Sequence, residues 1–303
     1  MSNFLIIIFC LFAGYLLRRA KVVKSDGYKA INTWILYIGL PAVSFKYLPG
    51  LQWDNTLLVA LLSPAVLFAG AYLFIKCLER PLGLSARSSH TLILVSGFAN
   101  TSFVGFPLVA TYFGQQQIKW AIISDQSTFF LLSSIGTYIA IKGSLGKPLS
   151  VGFGQTAKRI VRFPPLIGCV LALVFSRVVD MRALDPFFSQ LASTVSPLAL
   201  FSIGMQLSFS FYRSEVFAIS LSLFYKLIVG PGFLILLCYA LNLKGEVTQV
   251  AIFEMAMPSL VATSLVLQEF RLNSKLGNSV IGLSILIGLI TTYLAYFLIT
   301  YLL

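Results

Sequence analysis

Two polar, proline-containing stretches interrupt long apolar runs of the sequence: NTSFVGFP at residues 100–107 and EMAMPS at residues 254–259. A proline removes one backbone hydrogen bond of a helix and clashes with the preceding turn. Pro107 and Pro258 therefore predict a break in each of two helices. If these runs span a bilayer, the freed backbone groups must be enclosed by protein or face a wet cavity, because lipid offers them no hydrogen bonds.

The composition of the whole chain predicts a membrane protein. Of the 303 residues, 58% are hydrophobic and 11% are charged, whereas a soluble domain is typically about a quarter charged. A bilayer core of about 30 Å needs about 20 helical residues, and ten apolar stretches approach or exceed that length. They are residues 2–17, 28–48, 56–76, 88–113, 117–141, 163–178, 186–209, 214–242, 247–269 and 276–302. We therefore expect an all-α membrane protein of ten transmembrane helices.

The distribution of lysine and arginine predicts the orientation of these helices. Most basic residues fall in the loops that follow odd-numbered helices, and basic loops usually stay in the cytosol. Both termini are then extracytoplasmic, and the first stretch is a helix and not a cleaved signal because no basic region precedes it. The net charge of +12 is thus a topology signal, and we expect no nucleic-acid partner.

The chain divides into two halves of five helices each. We assign residues 1–145 to the first repeat, residues 146–162 to a glycine-containing cytosolic linker and residues 163–303 to the second repeat. Because five is odd, the second repeat has the opposite orientation in the membrane. Paired, interrupted helices at matching positions of inverted repeats are typical of transporter sites. We therefore expect the fourth and ninth helices to be broken and to cross near the bilayer midplane, with Pro107 close to Pro258.

Four segments in order along the chain carry a resemblance to a known family: GLPAVSF at 39–45, the 100–107 stretch with Gly114 closing its helix, LFSIGM at 200–205 and KLIVGP at 226–231. The sequence resembles the auxin efflux carrier family, which includes plant PIN-FORMED exporters and bacterial malonate-transporter-like proteins. The resemblance implies a fold like those of bile-acid:sodium symporters and sodium/proton antiporters, with two crossed broken helices. It also implies an organic anion held at the crossing, beside Asn100.

The sequence departs from the plant members of this family in two ways. It lacks their long central cytosolic loop, which favours a bacterial type of protein in the inner cell membrane. It also has Glu254 where plant members have a neutral residue, so the driving force of the family does not carry over directly.

The residues expected to bind substrate are Asn100, Thr101, Pro107, Pro258 and Ser259. The N-terminal ends of broken half-helices carry partial positive charge and free N–H groups, which suits an anion and above all a carboxylate. The Asn100 amide can donate to such a group. For the hydroxyls of Thr101 and Ser259 the alternative is a bond back to their own helix.

The residues expected to couple transport to an ion are Glu254, Asp125 and Lys226, because ionisable groups inside a membrane are costly and usually functional. Bile-acid symporters have a glutamate that helps bind sodium in a setting comparable to Phe253-Glu254. A buried carboxyl group also suits proton exchange, so the coupling ion is sodium or a proton. Lys226 is expected to pair with Asp125, with Glu254 or with the substrate. A purely structural hydrogen bond or ion pair is the alternative for each of the three.

Other chemistry has little support in the sequence. His90 is the sole histidine and the four cysteines are scattered, so we expect no metal site beyond sodium at Glu254, no other cofactor and no enzyme activity. We expect a secondary active transporter of a small organic carboxylate that works by alternating access. The alternatives are a transport-fold sensor, a sodium/proton antiporter and an ion channel. The expected partners are a small organic acid and the lipid bilayer, and a homodimer is the oligomer considered.

Overall fold

The computed structural model describes residues 2–24, 26–49, 51, 55–144, 154, 157–158, 161–207 and 215–303. Across these residues the secondary structure is helical, with no assigned strand. The predicted all-α class is therefore confirmed. Most of the predicted linker at residues 146–162 lies outside the described residues.

The α-helices coincide with the apolar stretches that the sequence predicts and extend beyond them by three residues at most. In chain order they are α1 Ser2–Arg19, α2 Tyr28–Trp34, α3 Leu40–Tyr47, α4 Leu57–Glu79, α5 Ala86–Gly97, α6 Phe106–Tyr112, α7 Ile118–Leu131, α8 Thr137–Gly143, α9 Pro164–Val178, α10 Asp185–Ser193, α11 Val195–Gln206, α12 Val216–Phe224, α13 Gly230–Ala240, α14 Glu246–Met255, α15 Thr263–Glu269 and α16 Ser274–Leu302.

Several helical segments run on without a break for long enough to cross a bilayer. By length and composition, four in the described part of the chain qualify: Leu57–Glu79, Asp185–Gln206, Val216–Ala240 and Ser274–Leu302. Large apolar side chains remain exposed on them, such as Ile290, which is 68% exposed. Such surfaces are costly in water and match the interior of a bilayer. That all ten predicted helices span the membrane stays a prediction.

Three prolines, Pro41, Pro107 and Pro231, follow a local widening of the helix. The π-helical segments Ile35–Gly39, Thr101–Gly105 and Tyr225–Val229 each lead directly into an α-helix with proline in its first turn. The first turn of a helix tolerates the missing N–H of proline, and a π turn changes the hydrogen-bonding register ahead of it. The helix therefore continues through Pro107, and the predicted break at that residue is wrong in position.

The described chain divides into two compact units. Unit 1 comprises Met1–Asp54, Ser102–Ile122 and Ala157–Leu207, and unit 2 comprises Asn55–Thr101, Ile123–Thr156 and Ser208–Leu303. Each unit draws on both halves of the sequence. The inverted repeats at 1–145 and 163–303 stay a prediction, because compactness does not test a symmetry between halves.

Glycines allow the closest helix packing within unit 1. A Cβ atom added to Gly14 of α1 would lie 2.1 Å from the Phe201 carbonyl oxygen of α11, and one on Gly204 would lie 2.1 Å from the Leu11 carbonyl oxygen. Neither distance is compatible with a side chain. Small residues of this kind bring helix backbones together in membrane proteins, so α1 and α11 form a tightly joined pair.

Candidate functional site

Two non-helical segments meet inside unit 2. The first, residues 98–100, follows the end of α5 at Gly97, and the second, residues 256–262, joins α14 to α15. An antiparallel bridge pairs Ala99 with Ser259. The Asn100 N–H donates to the Pro258 carbonyl at 2.8 Å, and the Leu260 N–H donates to the Phe98 carbonyl at 3.0 Å. The two breaks therefore satisfy each other's backbone groups, as buried backbone requires.

We call these two non-helical segments, together with the flanking residues Thr101, Glu254 and Met255, the crossing; it comprises residues 98–101 and 254–262. The ninth predicted helix breaks around Pro258, where the sequence predicts it. The fourth breaks seven positions before Pro107, at residues that include no proline. Two signals in the sequence could have located this break: Gly97, which is typical of a helix end, and the polar Asn100 within an apolar run.

The last helix supports the crossing from one side. The Ser284 hydroxyl of α16 accepts from the Ser259 N–H at 3.0 Å and donates to the Ile281 carbonyl of its own helix at 2.8 Å. One turn further, a Cβ atom on Gly288 would lie 3.2 Å from Pro258. Sequence reasoning missed both Ser284 and Gly288, since neither stands out within a long apolar helix.

Lys226 lies beside the end of α14. It belongs to the π-helical segment Tyr225–Val229 and is fully buried. Its ammonium donates to the Met255 carbonyl at 2.9 Å. Carbonyls at the C-terminal end of a helix carry partial negative charge, so Lys226 complements this end.

The predicted ion pair of Lys226 is not found. Among the described residues, neither Asp125 nor Glu254 pairs with its ammonium. A backbone carbonyl takes the place of the carboxylate, because the broken helix leaves that carbonyl without an intrahelical donor.

Asp125 of α7 lies at the other side of the break in the fourth helix. Its carboxylate accepts from the Thr101 hydroxyl at 2.5 Å and from the Gln126 amide at 3.5 Å. Thr101 begins a helical segment, whose free N–H groups favour nearby negative charge. The alternative for Thr101, a bond to its own helix, is therefore not what the structure has.

The unusual feature of the crossing is a set of buried polar side chains without hydrogen-bond partners among the described residues. They belong to Glu254, Asn100 and Ser259. All three side chains are 0% exposed. Within the described chain, no hydrogen-bond partner reaches either carboxylate oxygen of Glu254, either polar atom of the Asn100 amide or the Ser259 hydroxyl. Proteins pair the great majority of buried polar groups, and each one left unpaired costs about 1–3 kcal/mol.

The polar atoms at the crossing indicate what it can bind. Carboxylate, amide and hydroxyl oxygens together suit a hard cation, and a carboxylate can also take a proton. The Asn100 amide can in addition donate to an anion. Asp125 and Glu254 are both buried carboxyl groups of unit 2, so a cation or proton on either would reduce the negative charge held there.

Pro107, the remaining predicted substrate residue, belongs to unit 1. It lines a cavity of about 410 Å³ within unit 1. Lys46, Tyr47 and Gln115 also line this cavity, and sequence reasoning assigned none of them a site. Asn100, Thr101, Pro258 and Ser259 belong to the crossing in unit 2, so the structure divides the predicted substrate residues between two places.

Comparison with known proteins identifies the family. A family model described as membrane transport protein matches residues 1–296. An uncharacterized transporter of Methanocaldococcus jannaschii is 28% identical over 286 residues, which cover 91% of each chain. The uncharacterized transporter YfdV of Escherichia coli is 24% identical over 307 residues, covering 96% of this chain and 94% of the relative.

These matches extend over nearly the whole sequence, and the relatives carry the name of transporters. They confirm the resemblance to the auxin efflux carriers. The chain therefore belongs to the membrane transport protein family, that of the auxin efflux carriers, and is a multi-pass membrane transporter.

Proposed function

We propose that this protein is a secondary active transporter of a small organic carboxylate, coupled to sodium or a proton bound at the crossing. The observation that carries the proposal is the set of fully buried, unpaired polar groups of Glu254, Asn100 and Ser259 beside two paired breaks. Unpaired buried polar groups are destabilising. Their concentration at one place is best explained by ligands that complete their hydrogen bonds.

Electrostatics supplies the coupling. A carboxylate substrate entering the crossing would meet Asp125 and Glu254, two buried acidic groups. Charges interact strongly where water is excluded, so an anion is repelled while both acids are ionised. A sodium ion or proton on Glu254 neutralises one negative charge. The repulsion between the acidic groups and the substrate anion is then weaker. Cation and organic anion then bind together, which favours symport.

The substrate itself is expected to contact the polar groups around the break in the fourth helix. Asn100 donates from its amide, and Thr101, held by Asp125, positions the start of the following helical segment. In alternating access this site opens to one side of the membrane at a time. The predicted orientation, with both termini outside the cytosol, belongs to this proposal.

Sodium/proton antiport is the second candidate. It is favoured by the same acidic pair, because Lys226 is engaged by the Met255 carbonyl and does not neutralise either carboxylate. In an antiporter the two ions would compete for Glu254 and no organic anion would be needed.

Reconstituted proteoliposomes test the two candidates. Uptake of radiolabelled monocarboxylates and dicarboxylates is measured under a sodium gradient, under a pH gradient and without either. We expect one gradient to drive accumulation of at least one carboxylate. Sodium-driven proton movement in the absence of any carboxylate would instead establish the antiporter, and failure of every carboxylate to accumulate would overturn the carboxylate proposal.

A further inference from the structure

The first helix, α1, has an exposed apolar face along most of its length. Four large apolar side chains of this face are each more than half exposed: Leu5, Phe9, Phe12 and Leu16. Their spacing of three or four residues places them in one stripe on the helix surface. The next residue of the stripe, three positions after Leu16, is the exposed Arg19. In a multi-pass membrane protein such a face suits acyl chains, and a basic residue at its end suits the level of the lipid headgroups.

The opposite face of α1 is fixed to α11, and Arg18 belongs to that face. Its guanidinium donates to the Met205 carbonyl at 2.5 Å and to the Leu207 carbonyl at 3.3 Å, at the end of α11. The close glycine contacts between the two helices hold the same face in place. The exposed stripe therefore has a fixed direction, and Arg18 is occupied by the protein while Arg19 faces outward.

The chain turns directly after Arg19 in a closed, hydrogen-bonded loop. The Lys21 N–H donates to the Arg18 carbonyl and the Val22 N–H to the Leu17 carbonyl, both at 3.0 Å. This is the Schellman pattern of helix ends, in which the left-handed residue is usually glycine. Here that residue is Lys21, with φ of 58°, a conformation that is costly for a residue with a Cβ atom. The sequence thus places a charge where the local backbone favours glycine.

The turn and its flanks carry a cluster of positive charge. Four exposed cations follow one another from the end of α1 to the first turn of α2: Arg19, Lys21, Lys24 and Lys29. Among the described residues none of the four takes part in an ion pair. Asp26 is the single acid between residues 18 and 29. Arg19 donates to the Tyr15 hydroxyl at 2.9 Å, which leaves other N–H groups of its guanidinium for a ligand. The turn therefore offers an anion several charged donors.

We infer that this turn binds an anionic phospholipid of the membrane, with the phosphate on the four cations and an acyl chain along the stripe of α1. A zwitterionic lipid brings its own cation to the lysines, and a soluble phosphate ester lacks the chain that the stripe accepts. The orientation expected from the sequence puts the turn at the cytosolic leaflet, where anionic lipids attract basic segments. The inference goes beyond the proposed function, because it requires neither ion coupling nor an organic acid substrate.

Native mass spectrometry of the delipidated full chain in a neutral detergent tests the inference. The probe is dioleoyl phosphatidylglycerol. Dioleoyl phosphatidylcholine has the same chains without net charge, and glycerol phosphate has the phosphate without the chains. We expect phosphatidylglycerol to bind at least about tenfold more tightly than phosphatidylcholine, because each basic residue near a membrane surface contributes about fivefold, or about 1 kcal/mol. An excess of glycerol phosphate should not displace the bound phosphatidylglycerol.

Lys21→Gly separates the loss of charge from damage to the fold. Glycine adopts the left-handed backbone of this position without a steric penalty, so the thermal stability should stay the same or rise. The affinity for phosphatidylglycerol should nevertheless fall about fivefold. A triple variant that adds Lys24→Gln and Lys29→Gln should lose about a hundredfold. Binding of phosphatidylcholine should change in neither variant.

Arg271→Gly is the matched control. Arg271 is likewise an exposed basic residue in the left-handed conformation, with φ of 53°, after the end of α15. The substitution removes the same charge and relieves the same backbone conformation. No apolar stripe leads to Arg271, because the preceding Gln268 and Glu269 are exposed and polar. This variant should bind phosphatidylglycerol as tightly as the parent does.

Four results would overturn the inference: equal affinity of the parent for the two lipids, displacement of phosphatidylglycerol by glycerol phosphate, unchanged affinity in Lys21→Gly and the triple variant, or an equal loss in Arg271→Gly. Displacement by glycerol phosphate would instead make the turn a site for soluble phosphate esters. The proposed function is judged separately, by ion-driven uptake in the parent and its loss in a Glu254 variant. Failure of the lipid site with intact coupling therefore leaves the crossing untouched.

Discussion

The crossing and the cavity of unit 1 that Lys46 lines differ in physical character. The side chains of Glu254, Asn100 and Ser259 are fully buried and lack partners among the described residues. Lys46 and Tyr47 are only half-buried, and Gln115 is exposed. Two charges about 4 Å apart interact by about 1 kcal/mol in water and by about 4 kcal/mol at the effective dielectric of a protein. A charge at the crossing therefore interacts with its neighbours more strongly than a charge in the cavity does.

Lys226 and Lys46 differ in the same way. Lys226 has no exposed surface and its ammonium is used by the Met255 carbonyl, so it completes the structure of a broken helix. Within the described part of the chain Lys46 makes no such bond to the backbone, and its ammonium lies over the Tyr47 ring beside a cavity. A buried, occupied lysine contributes mainly to stability, whereas a partly exposed one remains available to a ligand.

The largest expected effect is the loss of ion-driven uptake when Glu254 of the crossing is changed. Glu254→Gln keeps the shape of the side chain but can neither take up a proton nor balance a cation. Ion-driven carboxylate uptake in proteoliposomes should fall to background. Stability should be unchanged or higher, because a buried carboxylate without partners is costly.

The control for this variant is Glu269→Gln, at an exposed position of α15, which should transport like the parent. If Glu254→Gln takes up carboxylate with the parent's ion dependence, Glu254 is a structural residue. The crossing would then have no role in ion coupling through this side chain.

An intermediate effect contrasts the two lysines. Lys226→Ala leaves a cavity and an unpaired Met255 carbonyl, so the free energy of unfolding should fall by about 2–4 kcal/mol. Lys46→Ala should change it by less than about 1 kcal/mol, because the side chain is only half-buried and its loss leaves no carbonyl of the described residues without a donor. Chemical denaturation in detergent measures both. Equal losses of stability in the two variants would show that the assigned roles of the lysines are wrong.

The smallest effect concerns Asn100. Its side chain has no hydrogen bond to lose among the described residues, so Asn100→Ala should change stability by less than about 1 kcal/mol. Binding of the transported carboxylate should weaken by about 1.5–3 kcal/mol, the value for a hydrogen bond to a charged group. Calorimetry with that carboxylate provides the measurement.

A paired buried group gives the opposite pattern and serves as the control. The hydroxyls of Ser96 and Ser222 lie 2.6 Å apart and bond to each other. Ser96→Ala should therefore lower stability and leave carboxylate affinity unchanged. If Asn100→Ala binds as tightly as the parent, Asn100 is not a substrate residue, even if the crossing still holds the ion.

The amino-acid sequence by itself determined the class of protein and the approximate position of each helix. Apolar run length is a local property, and a bilayer imposes nearly the same length on every spanning segment. The sequence also pointed to Glu254, Asp125 and Lys226, because a charge in an apolar run is conspicuous. Their burial, at 6% exposure or less, agrees with that interpretation.

Only the tertiary structure decided where the fourth helix breaks and what the buried charges contact. Pro107 marks a π turn and a continuing helix, while residues 98–100 unwind without a proline. A missing hydrogen bond at proline can be absorbed within one turn, but an extended segment needs a distant partner, here the Pro258 carbonyl. The partner of Lys226 and the walls of the cavity that Lys46 lines likewise depend on residues far apart in the chain, and no local pattern records those contacts.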